Sequence, residues 1–265
     1  MCELFALSGS LATTISLSME RLAHRSDHAG HLSDGWGIGF YDGPDVRLFR
    51  EPEPAADSVW VRFIGEQQIR SRLVMSHLRH ATQGEVSLRN TQPFARELGG
   101  RMHLFAHNGS LPGIEKHFCF ERQGHVPIGS SDSEIAFCVL LDRLAPLWGG
   151  RPPTLEARLA AVSGLAQELR QLGPANFLYA DGELLFAHGH RRLQKDGRTA
   201  APGLHVLHRE CAIDPDALAA AGVEIGHPQS VTLFASVALT LDAWRPLAEG
   251  ELMVTRGGVV VTVEG

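Results

Sequence analysis

The sequence has no apolar run approaching the ~20 residues that a membrane-spanning helix needs, so a helical membrane protein is not expected. No basic segment precedes an apolar core near the N-terminus, so a secretory leader is not expected either. Basic runs are missing and the formal net charge is −6, which argues against nucleic acid and anionic membranes as partners. Cysteine is scarce: four residues, at 2, 119, 138 and 211, with no C-x-x-C pair. That spacing in a long chain excludes the disulfide framework of small secreted domains. Reduced thiols and a cytoplasmic location are the expectation. There is no P-loop and no G-x-G-x-x-G opening a helix, least of all in residues 175–265, so no nucleotide or sugar-phosphate site and no cofactor is expected.

What is present is a chain of 265 residues, 44% hydrophobic and 20% charged, enough to bury a sizeable core. No break in composition divides it, so one domain over 1–265 is expected. The start, Cys2 to Gly9, alternates and reads as a strand ended by Ser-Gly. Ser16–Arg25 has helical spacing, and His28–Ser33 is a loop. Asp42-Gly43 joins two apolar runs as a hairpin, and Gly35, Gly37 and Gly39 leave one strand face bare for a close backbone or ligand. Asp57-Ser58 caps a short helix to Glu66, and Arg72–Arg79 is a strand. His80–Asn90 has no periodicity. Phe94–Leu98 and Met102–His107 form a second hairpin, ended by Asn108-Gly109. Ser131-x-x-Glu134 is a capping box opening an amphipathic helix to about Trp148, and Thr154 caps a second one to Leu172. The last third reads as strands, with a short helix over Asp214–Ala221. Strands, two helices, then strands again, with no βαβ alternation, predict an α+β fold of antiparallel sheets packed by helices.

Cys2 carries the chemistry. Methionine aminopeptidases remove Met1 when the second residue is small, as cysteine is. Cys2 then holds a thiol and a free α-amine, a nucleophile paired with its own general base. Their reference pKa values, about 8.5 and about 7.7–8.0, allow proton exchange near neutrality. A terminus built into a sheet from its second residue is tied down rather than frayed.

Five stretches accompany Cys2: Asp34-Gly-Trp-Gly, His77-Leu-Arg79-His-Ala-Thr82-Gln-Gly84, Asn90-Thr-Gln-Pro-Phe94, His107-Asn108-Gly109 and Ser131-Asp132-Ser-Glu134. In order and content they resemble the class II glutamine amidotransferases, the N-terminal-nucleophile hydrolases with an initiating cysteine. The likeness covers about the first half of the chain. It implies a four-layer αββα sandwich and hydrolysis of the side-chain amide of glutamine. Cys2 would form a glutamyl thioester, with its α-amine moving the proton. The Asn108 amide and the Gly109 N–H would form the oxyanion hole. Arg79 would hold the substrate α-carboxylate, Asp132 its α-ammonium, and Thr82 would touch the substrate backbone. Asp34-Gly-Trp-Gly is expected to wall the pocket.

Residue chemistry alone agrees with those roles. An Asn-Gly turn at a strand end offers a side-chain amide and a backbone N–H as donors, and an arginine fork suits a carboxylate. Each has a plainer alternative: Asn-Gly as a turn, Arg79 as a surface ion-pair residue, Asp132 as a first-turn acid favoured by the helix dipole. The sequence departs from many relatives at His80 and Gln83, where they carry Trp and His. No synthase domain is expected in this chain, so the resemblance extends to stand-alone members and to the γ-glutamyl amide hydrolase of ergothioneine biosynthesis. An ammonia-accepting synthase subunit and a homodimer are the partners it allows. A glutamine-binding module without turnover is the third reading, which retention of Met1 would produce. His77 and His80 fall on opposite strand faces, and the pairs His103/His107 and His188/His190 have no third ligand, so no metal site is expected.

Overall fold

The computed structural model describes residues 2–15, 34–79, 85–118, 124–194, 196–211, 223–224 and 229–265. The expected helices at 16–25 and 214–221, the loop at 28–33, and His80, Thr82 and Gln83 lie outside the described residues. So does Cys119.

Two antiparallel sheets face each other. The first joins β1 (Glu3–Ile15), β2 (Gly35–Asp42), β3 (Asp45–Glu51), β4 (Arg70–Arg79), β11 (His205–Cys211), β12 (Val223–Glu224), β13 (Gln229–Ala235) and β14 (Arg245–Pro246). Its order is β14-β11-β13-β1-β4-β2-β3, with β12 also on β1, so the N-terminal strand lies inside the sheet. The second runs β16 (Val259–Glu264), β15 (Leu252–Arg256), β8 (Leu184–His188), β7 (Ala175–Ala180), β6 (Arg101–Gly109) and β5 (Phe94–Leu98). A small ribbon of β9 (Arg192–Leu193) and β10 (Thr199–Ala200) stands apart.

Strand alternation sorts the apolar residues into layers. Along β1, Leu4 and Ala6 enter the core between the sheets with Met75, Leu104, Ala106, Leu178 and Phe234. Phe5 and Leu7 point the other way, into an outer core with Val61 and Ile64 of helix α1 (Val59–Gln67). The outer face of the second sheet is covered by α2 (Ile114–His117), α3 (Asp132–Leu144) and α4 (Leu155–Leu172), whose Phe137, Leu140, Leu165 and Leu169 pack on Phe105, Phe177 and Tyr179. Helix, sheet, sheet, helix is the expected αββα order. Cys138 lies in the α3 layer, fully buried, its thiol pushed up to about 12 by burial, so it is a core residue.

Several local expectations are refined. β1 does not stop at Gly9. It runs on to Ile15 through a bulge between Ser8 and Thr13, since partners on both sides extend it. The α3 helix ends at Leu144 and closes with a 3-10 turn over Ala145–Leu147, because Pro146 cannot continue it. The Ser131 hydroxyl accepts from Glu134 N at 3.2 Å, as a capping box requires. The Glu134 carboxylate does not return to complete the box. It accepts from Ile128 N (3.0 Å) and Gly129 N (2.7 Å) and pairs with Arg96.

Candidate active site

The site begins at the N-terminus of β1. Cys2 is half-buried, and its neighbours are pinned on every side. Leu4 exchanges hydrogen bonds with Ser236: Leu4 N to Ser236 Oγ (2.9 Å) and Ser236 N to Leu4 O (3.0 Å). Arg192 donates to Glu3 Oε1 (3.0 Å) and to the Ser236 carbonyl (2.6 Å). Glu3 is opposite Leu78 in β4, so the same register sets Arg79 across from Cys2. Arg79 is buried at that strand end, and its carbonyl accepts from Asp34 N at 2.7 Å.

The second sheet meets this terminus at the end of β6. The Asn108 amide donates from Nδ2 to the Cys2 carbonyl at 2.7 Å. A primary amide has two N–H donors, and this bond uses one of them. The His107 N–H donates to Gln92 Oε1 at 2.6 Å, away from β7. Amides alternate along a strand, so the Gly109 N–H faces the same edge as the His107 N–H. A side chain at Gly109 is excluded: its Cβ would lie 1.8 Å from the Pro174 carbonyl.

Asp132 opens α3 and is tied to the segment after Gly109. Its Oδ2 accepts from Leu111 N and its Oδ1 from Ser133 N, both at 2.7 Å. With Ser131 and Leu111 it lines a cavity of about 280 Å³ between α2 and α3. The next residue, Ser133, bonds His107 Nδ1 at 2.9 Å, while His107 Nε2 meets the Pro174 carbonyl at 3.2 Å. Burial pushes the His107 pKa down, against the opposing pull of Asp132 and the Pro174 carbonyl.

The five described residues from the sequence reading thus occupy one neighbourhood: Cys2 and Asn108 in direct contact, Gly109 beside them, Arg79 across the register and Asp132 bonded to the chain just after the turn. Trp36 is a correction. It is fully buried in the outer core, donating to Glu51 Oε2 at 3.0 Å, because alternation turns it away from the bare glycine face. The glycines do admit a close backbone: a Cβ at Gly37 would lie 2.3 Å from the Gln92 carbonyl.

Four contributors had no role assigned from sequence: Gln92 and Asn90, within the Asn90–Phe94 stretch, and Asn176 and Arg192, which no motif marked. Gln92 holds His107 N, and Asn90 holds the loop before α3 by accepting from Ser130 N at 2.9 Å. Asn176, fully buried, donates to the Asn108 carbonyl at 3.0 Å, and Arg192 secures Glu3. One signal was available: asparagine is depleted in strands, so Asn176 inside an apolar run marks a special position. Among the described residues no group of three His, Cys, Asp or Glu side chains could hold a metal ion.

A family model for glutamine amidotransferases class-II matches residues 1–265. The chain belongs to the class II glutamine amidotransferases. It is 36% identical over 252 residues to YafJ of Escherichia coli (strain K12), which carries a glutamine amidotransferase name, and covers 96% of that protein and 95% of this one. A crystal structure titled as a glutamine amidotransferase from Pseudomonas aeruginosa superposes with a TM-score of 0.70 at 31% identity, over 98% of this chain and 100% of that one. The phosphoribosylpyrophosphate amidotransferase of Bacillus subtilis shares the fold at 18% identity and a TM-score of 0.62, with 99% of this class II chain matching 49% of that longer one.

Proposed function

We propose that the chain hydrolyses the side-chain amide of glutamine, or of another γ-glutamyl compound, with Cys2 as nucleophile after Met1 is removed. The observation that carries this reading is the 2.7 Å hydrogen bond from Asn108 Nδ2 to the Cys2 carbonyl, which sets an amide donor beside the candidate nucleophile. The α-amine takes the thiol proton as Sγ attacks the amide carbon. The oxyanion of the tetrahedral intermediate accepts from the second Asn108 Nδ2 proton and from the Gly109 N–H. The proton then passes to the leaving nitrogen, ammonia departs and a glutamyl thioester remains. Water, deprotonated by the same amine, attacks the thioester carbon. Glutamate leaves and the thiol is restored.

Arg79 holds the substrate α-carboxylate, a role supported by its burial across from Cys2. Asp132 takes the α-ammonium, and Thr82 touches the substrate backbone. The chain works as one cytoplasmic domain, and the ammonia it releases is a substrate that a partner synthase could take up.

The test is intact mass with labelling by diazo-oxo-norleucine, a glutamine-mimicking electrophile. The expected result is loss of Met1, one adduct on Cys2, and no adduct in Cys2→Ala. Processed protein that takes no adduct on Cys2 would overturn the reading.

A further inference from the structure

A closed ring of bonds surrounds the nucleophile. The Cys2 carbonyl accepts from Asn108 Nδ2 (2.7 Å). The Asn108 carbonyl accepts from Asn176 Nδ2 (3.0 Å), directly across the β6–β7 register. The other Asn176 Nδ2 proton goes to the Arg191 carbonyl (2.7 Å), and its Oδ1 accepts from His190 N (2.8 Å). The next residue, Arg192, reaches Glu3 Oε1 (3.0 Å), and Glu3 is bonded through the chain to Cys2. Asn176 is fully buried with both amide protons and its oxygen engaged. The enclosure is tight: a Cβ on Gly203 would lie 1.6 Å from Asn176 Oδ1.

From this ring we infer that Asn176 and Arg192 are positioning residues that fix the Asn108 donor relative to Cys2; the inference rests on the hydrolysis proposed above. Neither touches the substrate. Asn176 acts on the main chain of Asn108 in the second sheet, and Arg192 on Glu3, the residue after Cys2, in the first. An oxyanion donor works only when held where the charge develops. The two sheets contribute one partner each, so their relative placement is set by the ring rather than by either sheet alone. The neutral histidines behind it brace the same segment: His188 Nδ1 donates to the Ala175 carbonyl (2.6 Å), and His190 Nδ1 accepts from Ala175 N (3.3 Å).

The test uses the processed full chain and four readouts: kcat, KM, the alkylation rate of Cys2 by iodoacetamide, and affinity for the γ-aldehyde analogue of glutamine, which adds reversibly to the thiol. Asn176→Asp keeps the shape and the acceptor for His190 N but removes both donors. It is expected to lower kcat about 10- to 100-fold, since misplacement by ~1 Å can cost ~10²-fold. KM should stay within about twofold and iodoacetamide alkylation should not change, while aldehyde affinity falls in step with kcat. Added to Asn108→Ala, the Asn176→Asp substitution should cost less than it does alone, because the part of its effect that runs through the Asn108 amide is already lost while the part that runs through the Gly109 N–H of the same peptide unit remains. Arg192→Lys, which keeps the charge but loses the fork, should move the same readouts in the same direction by less. Unchanged kcat in Asn176→Asp, or alkylation falling in parallel with kcat, would overturn the inference. Failure of both variants to fold would overturn it too, assigning the ring to stability. A wild-type protein without turnover would instead overturn the hydrolysis itself, and this inference with it.

Discussion

At the scale of single residues, the site depends on groups that tolerate little change. Asn108→Ala removes the only side-chain donor named for the oxyanion, so kcat is expected to fall ~10²–10³-fold, with Cys2 still alkylated at the wild-type rate. Steady-state kinetics beside a thiol-labelling time course checks this. Gly109→Ala is worse in kind, since its Cβ would meet the Pro174 carbonyl at 1.8 Å. Backbone must move there, so both kcat and the melting temperature should drop, whereas Asn108→Ala should leave the melting temperature near that of wild type.

Among the elements, α3 links fold to site. Ser131 caps it and Asp132 opens it, while the buried Glu134 gathers Ile128 N, Gly129 N and Arg96. Ser131→Ala is expected to cost about 1 kcal/mol, as for a lost N-cap. Glu134→Ala should cost about 3–5 kcal/mol, because it strands the Arg96 charge beside a loop whose amides lose their acceptor. Urea unfolding measures both; equal effects would show that the cap, not the carboxylate, organises the loop. Glu134→Ala should also raise KM, since the loop feeds into Asp132. Much of this was legible in sequence. The capping pattern, the hairpins and the glycine face are local signals, written within a few residues of where they act. Asn108 and Cys2 were marked out by their motifs, and the fold brings the two into contact. The partners Asn176 and Arg192 were not marked out, because they act across 68 and 189 residues of chain, and no local period reports such a contact. The Asp34-Gly-Trp-Gly stretch was expected to wall the pocket, and its Trp36 is instead a packed core residue. Its motif sits at the site, but alternation sends the ring into the core.

For the whole molecule, the histidines set the response to acid. Burial, the first cause in each case, holds His103 down at about 4 and His188 at about 3, and lowers His107 as well. These imidazoles are neutral in the folded chain, whereas in the unfolded chain they protonate near 6.5. The unfolded state therefore binds more protons as the pH falls below that value, and stability is lost from there downward. The contribution of His103 runs out near pH 4 and that of His188 near pH 3. Each should cost up to about 1.4 kcal/mol per pH unit inside its window. Urea midpoints at pH 8, 6.5 and 5 are expected to fall slightly over the first interval, where half protonation of the unfolded chain costs about 0.4 kcal/mol per histidine, and steeply over the second. A midpoint unchanged down to pH 5 would count against neutral buried imidazoles.

The position of β1 inside its sheet has a further consequence, for synthesis. Of its two long neighbours, β4 ends at Arg79, but β13 does not begin until Gln229. The ribosome makes everything from β5 to β12 in between. β1 is thus made long before the neighbour on its other side and stays half-paired until β13 emerges. A chain interrupted before β13 leaves one edge of β1 unpaired, a row of free N–H and C=O groups open to pairing with another chain.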